Sequence, residues 1–136
     1  MPQWGQRFLS SFLSLSILIP CAAQLGCLQD ANAPSVERGL AVLLTLLHDE
    51  HPDVRRTAAE SLGKIGDRSA LPGVLLLLTD TVPAVRAAAA QALGRVATPD
   101  DEAVIAGLMR SLTDLDNRVR QAAALAIGEI EPSPRQ

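Results

Sequence analysis

Three aspartate–arginine couples carry the chain's most regularly spaced chemistry: Asp49 with Arg55, Asp80 with Arg86, and Asp114 with Arg120, each six residues apart. Arginine binds carboxylates through a planar fork of donors, so a couple repeated at this spacing predicts a ladder of bridged turns; three free arginines would instead make an anion site. Building the stack is the expected use. His48 and His51 flank Asp49 and Glu50 in one turn, the only two histidines of the chain. Two imidazoles and a carboxylate without a shell to orient them make weak ligands. No metal is therefore expected, and these are read as solvated turn residues. The two cysteines, Cys21 and Cys27, both precede the couples, so neither a disulfide framework nor a CxxC zinc pattern fits the rest of the chain. Ser61 and Ser69 have no histidine near them in sequence. With no nucleophile elbow and no phosphate-cradling glycine loop, no catalytic residue and no cofactor are predicted.

The couples sit in a phrase said three times. Val54-Arg55-Arg56-Thr57-Ala58-Ala59-Glu60-Ser61-Leu62-Gly63 recurs from Val85 to Gly94 and from Val119 to Gly128, at offsets of 31 and then 34 residues. A period in this range marks stacked repeats. Ahead of each phrase lies a second apolar segment: Val36 to Leu47, Ala70 to Leu78, and Glu102 to Leu112. Their stripes are Leu40, Leu43, Leu44, Leu47; Leu71, Val74, Leu75, Leu78; and Ile105, Leu108, Met109, Leu112. Steps of three and four put each set on one helical face. Each unit thus reads as helix A, a tight turn and helix B.

The turns add their own signals. Pro52 and Pro83 fit the first turn of a helix, where the missing donor is no loss, and Asp, Thr or Asn nearby can accept free amides. Gly66 suits a left-handed cap. In helix B, Val54, Ala58, Leu62 and Ile65 are expected to face helix A, whereas Ala59 with Gly63, and their counterparts in the other units, are small where neighbouring units approach. Such hairpins cannot bury their faces alone, and about three are needed for a stable array.

The stretch from Asp49 to Asp67, Asp-x-x-Pro-x-Val-Arg-x-x-Ala-Ala-x-x-Leu-Gly-x-Ile-Gly-Asp, resembles a HEAT repeat, most closely the short bacterial class found in phycobilin lyases and scaffold proteins. The resemblance covers residues 36–130. It implies an all-α protein, a right-handed α-solenoid of about three hairpins, whose B helices line the inner, partner-binding face. Positions pointing away from helix A are Arg56, Thr57, Glu60 and Lys64; Ala87, Ala88, Gln91 and Arg95; and Gln121, Ala122, Leu125 and Glu129. Of these, Arg56, Glu60, Lys64, Gln91, Arg95, Gln121 and Leu125 are the candidate partner-binding residues. Their alanine floor suits a partner helix or strand. The face around Ala123, Ala124 and Ile127 has no polar cap, so another copy or a partner is expected to cover it.

The first residues read differently. Met1 to Arg7 opens with positive charge, Phe8 to Ile19 is apolar, Pro20 breaks it, and Cys21-Ala22-Ala23 and Gly26-Cys27 are small. That describes a secretory signal over residues 1–27. Cleavage after Ala23, lipidation at Cys27 as in a bacterial lipoprotein, an uncleaved anchor and an amphipathic helix covering the first repeat remain alternatives, although four serines, Pro20 and Gln24 make a poor span. Residues 28–35 have linker composition, 36–130 form the repeat domain, and 131–136 read as a disordered tail. Arg7 is the only charged side chain before Asp30, so residues 28–136 hold 11 of the 12 basic and all 15 acidic groups, a net −4. A mildly acidic domain without an aromatic side chain for base stacking, the chain's three being Trp4, Phe8 and Phe12, argues against nucleic acid as the main partner. The expected protein is exported, to the periplasm or as a membrane-anchored lipoprotein, and binds another protein without catalysis. An accessory role like that of bilin lyase subunits, holding a chromophore or its carrier, is the alternative.

Overall fold

A computed structural model describes residues 35–131. The expected signal segment, Cys27 and residues 132–136 of the expected tail lie outside the described residues. The chain divides into two compact units, residues 1–38 and 39–136; of the first, only the opening turn of one helix is described. The described residues are helical throughout, without a strand: α1 Ser35–Leu46, α2 Pro52–Ile65, α3 Leu71–Leu76, α4 Pro83–Val96, α5 Glu102–Ser111 and α6 Asn117–Ile130. α1, α3 and α5 are the A helices of three hairpins, and α2, α4 and α6 the B helices. The array is an α-solenoid of stacked hairpins, as the resemblance implied.

The B helices begin and end as their residues dictate. Pro52 and Pro83 open α2 and α4, and Asp116 caps α6 by accepting from the Arg118 amide at 2.8 Å. Gly66 ends α2 at φ 75°, a conformation that costs a glycine little. Helix A of the second hairpin is not one continuous helix. Short α3 is flanked by 3-10 turns at Arg68–Ala70 and Leu77–Thr79, with Pro72 and Gly73 lowering helix propensity inside it.

Successive B helices make the largest interfaces, α4 lying against both α2 and α6. They approach closely because small residues face each other. A Cβ on Gly63 would stand 2.8 Å from the Ala92 Cα, and one on Gly94 2.7 Å from the Ala126 Cα. In the A layer glycines instead receive leucine side chains, which the repeat pattern does not announce: a Cβ on Gly73 would lie 2.8 Å from Leu47 Cδ1, and one on Gly107 would lie 2.9 Å from Leu78 Cδ1 and 3.0 Å from Leu75 Cδ1. Leu62, Leu93 and Leu108 are fully buried in the seam between the two layers, each contributing about 1.5–3 kcal/mol by the area removed from water.

Four expectations need correction. Ile65, expected against helix A, is 43 % exposed. Its counterparts Val96 and Ile130 are half-buried and buried; Val96 lies among Leu71 and Val74 of its own helix A and Leu62 and Gly63 of the preceding hairpin, and no described hairpin precedes the first. Met109 and Leu112 are likewise exposed, and Val104, Leu108 and Ser111 supply the buried face of α5. Their counterparts Leu75 and Leu78 are covered by Gly107 of the following A helix, and no described helix follows α5 in that layer. Ala88 and Ala122, expected to point outward, are almost fully buried, at the bottom of the groove between successive B helices. Ala123, expected on the open lateral face, is fully buried, like Ala58 and Ala89 in the other hairpins.

Candidate interaction surface

Two features recur across the hairpins: a polar ladder along the A–B turns and a groove over the B helices. In the ladder, the first nitrogen of each arginine fork ties its own turn. Arg55 Nη1 donates to the Asp49 and Glu50 carbonyls at 2.7 and 3.1 Å, and Arg86 Nη1 to those of Asp80 and Thr81 at 2.7 and 3.3 Å. The rest of the fork crosses to the next hairpin. Arg55 Nε and Nη2 donate to both Asp80 oxygens at 2.8 and 3.0 Å, and Arg86 does the same to Asp114 at 2.9 Å each. The partner within a hairpin is therefore a carbonyl, and the carboxylate belongs to the next one.

Each aspartate also caps its turn from Oδ1, accepting the amide of His51, Val82 or Asp116 at 2.8, 2.9 and 2.9 Å. Burial pushes the Asp80 carboxyl up, but the Arg55 fork, the Val82 amide and the charges of Arg55 and Arg86 outweigh it and hold it below its ordinary value. The Arg86 fork and the Asp116 amide lower Asp114 against a smaller burial effect. A further strap, Arg68 to both Asp101 oxygens at 2.9 and 3.2 Å, holds the loop Thr98-Pro99-Asp100-Asp101 ahead of α5 to the turn ahead of α3. These arginines are occupied by carboxylates, which leaves the ladder a structural role and no anion site at Arg55 or Arg86.

The groove is an open trough of about 320 Å³ across α2, α4 and α6. Ala84, Ala87, Ala88 and Gln91 lie along α4 at helical spacing and form its floor with Ala122. Arg56 and Glu60, paired at 3.3 Å, stand on the α2 side; Arg118, Gln121 and Leu125 stand on the α6 side. Five of the seven sequence-derived candidates therefore line it: Arg56, Glu60, Gln91, Gln121 and Leu125. Lys64 and Arg95 are exposed on the last turns of α2 and α4, outside the trough. Sequence reasoning missed Arg118, which is bonded to its own cap Asp116 at 3.3 Å, and Ala84. The signal for both was present, since each lies three residues before a residue already singled out, Gln121 and Ala87.

Chemically, the trough offers an alanine floor for apolar side chains, two amides able to bond a peptide backbone, and a charged rim. His48 and His51 are exposed in the first turn, and among the described residues no group of three His, Cys, Asp or Glu is placed to hold a metal ion. No described helix is long and apolar enough to cross a membrane.

A family model described as HEAT repeats matches residues 23–94 and, in a second register, 40–128. The chain belongs to the HEAT-repeat family. No curated protein matches it. HEAT repeats commonly serve as protein-interaction scaffolds and are generally non-catalytic.

Proposed function

We propose that the protein is a non-catalytic scaffold that seats a helix or extended segment of another protein in the trough over α2, α4 and α6. The observation carrying this reading is the alanine floor of α4 flanked by Arg56 and Glu60 on one side and Gln121 and Leu125 on the other. A floor without large side chains lets a partner backbone come close, and the amides of Gln91 and Gln121 suit a main chain rather than a small charged ligand. The face beyond α6 is covered by a further protein chain. Export fits the basic start, apolar run and small-residue exit of residues 1–27, with Cys27 the lipidation candidate if the mature chain is a lipoprotein.

Photo-crosslinking groups at Gln91 and Gln121, with one at the exposed Leu76 on the A-helix side as control, test the binding face. Crosslinks to one defined protein from the two B-helix positions alone are expected; equal capture from position 76 would overturn the assignment. Visible absorbance in the purified protein would replace this reading by the chromophore-holding one. Mass spectrometry of the mature amino terminus tests export: a chain starting at Gln24 or at a lipidated Cys27 is expected, and one still starting at Met1 in a cytosolic fraction refutes it.

A further inference from the structure

The two ends of the described array are complementary by the rules of its own internal joints. In the third hairpin, Arg120 holds the same pose as Arg55 and Arg86, with Nη1 on the Asp114 and Leu115 carbonyls at 2.8 and 3.1 Å. Its fork reaches no carboxylate among the described residues; Nη2 meets only Asn117 Oδ1, at 3.4 Å. In the first hairpin, Asp49 holds the pose of Asp80 and Asp114, capped onto the His51 amide, yet forms no salt bridge among the described residues. One end presents a fork without its carboxylate, and the other a carboxylate without its fork.

The apolar surfaces agree. A Cβ on Gly128 would meet nothing within 4 Å, although the equivalent positions 63 and 94 are pressed against the next helix. Met109 and Leu112 beside it are 60 % and 38 % exposed. At the other end Ile65 and Val42, 43 % and 56 % exposed, occupy positions that face a preceding hairpin. By register Gly128 would meet Ser61, where Gly63 meets Ala92 and Gly94 meets Ala126. Val42 stands where Gly73 and Gly107 stand, with Leu112 and Met109 opposite it in that register; a Cβ there meets only the ends of flexible side chains, which must turn aside to admit the valine.

We propose that a second copy of this chain docks head to tail, the α5–α6 end of one copy on the α1–α2 end of the next, with Arg120 of one bridging Asp49 of the other as a continuation of the ladder. This rests on the scaffold reading and names the chain that covers the end beyond α6. Two different patches meet, so the association is heterologous and propagates unless it closes into a ring.

Sedimentation velocity of the full chain across a concentration series tests it, with folding of every variant checked by circular dichroism. The parent's mass is expected to rise with concentration. Arg120→Glu and Asp49→Arg are each expected to stay monomeric, because each sets like charges face to face, and an equimolar mixture of the two is expected to regain association. Gly128→Leu, which adds bulk where the fold leaves space, is also expected to stay monomeric. A parent that remains monomeric, single variants that assemble like the parent, or a mixture that fails to recover would overturn the proposal. Crosslinking from Gln91 is independent of these end variants, so loss of self-association with crosslinking intact would refute this joint and leave the trough reading standing.

Discussion

Replacing Gly94 by alanine adds one methyl group to the last turn of α4, and replacing Gly128 adds the same group at the equivalent place on α6. Helix propensity favours both changes by about 1 kcal/mol. Packing separates them. At position 94 the new carbon would lie 2.7 Å from the Ala126 Cα, 2.8 Å from its Cβ and 2.8 Å from a Glu129 carboxylate oxygen, well inside the roughly 3.5–4.0 Å at which carbon atoms rest. Two of these neighbours belong to a residue fixed in the helix, so α4 and α6 must part, at an overpacking cost of about 1–3 kcal/mol. At position 128 nothing lies within 4 Å. Gly94→Ala is therefore expected to be neutral to about 2 kcal/mol destabilising and Gly128→Ala about 0.5–1 kcal/mol stabilising. Urea unfolding at low protein concentration reads this as midpoints moving apart at constant slope. A Gly94→Ala protein as stable as Gly128→Ala would refute the joint as described.

Other positions give equally direct checks. Leu93 is fully buried, so Leu93→Ala should cost about 2–5 kcal/mol in chemical denaturation, and Leu93→Asp should leave little cooperative unfolding to measure in a domain whose total is about 5–15 kcal/mol. Asp80→Asn should lose about 1–3 kcal/mol at neutral pH through the weakened Arg55 fork. Because the folded-state carboxyls of Asp80 and Asp114 sit below their ordinary value of 3.8, the stability they contribute is complete above about pH 4 and is lost as pH falls through the lower folded values. Asp80→Asn should flatten that acid limb, and an unchanged pH profile would remove the ladder from the account. Gly66→Ala, at φ 75°, should destabilise by about 1 kcal/mol or more because an L side chain is strained there; thermal melting reads it.

The repeat phrase made the layer order legible, because its Asp, Arg, Ala and Gly positions are set by joints that recur. What it left illegible is which joint a residue faces. Ile65 and Met109 look like core residues in a helical stripe, yet the equivalent positions are covered in part by a neighbouring hairpin, and the array's ends reveal that by leaving these two exposed. Ala88 looks like solvent-facing filler, and the side chains that wall it in, Arg56 and Glu60, belong to the first hairpin, which no local pattern announces. Gly73 and Gly107 have no glycine counterpart in the first hairpin, where Val42 stands, so their close approach did not read as a repeat. The trough was legible along α4, where alanines fall at every inward step, and less so on α6, where Arg118 belongs to the turn by sequence and to the rim by geometry.

The middle hairpin is the only one of the three with described neighbours on both sides. Seven residues of α4 are buried, against four in α2 and five in α6. In a nearest-neighbour array the interior element opens only by breaking two boundaries, whereas an end element breaks one. Amide exchange should therefore be slowest along α4 and faster at both flanks, so that the floor of the trough is the last part of the domain to melt and its walls fray first. A bound segment that spans all three B helices would then act as a splint, lending the flanks the persistence the centre already has.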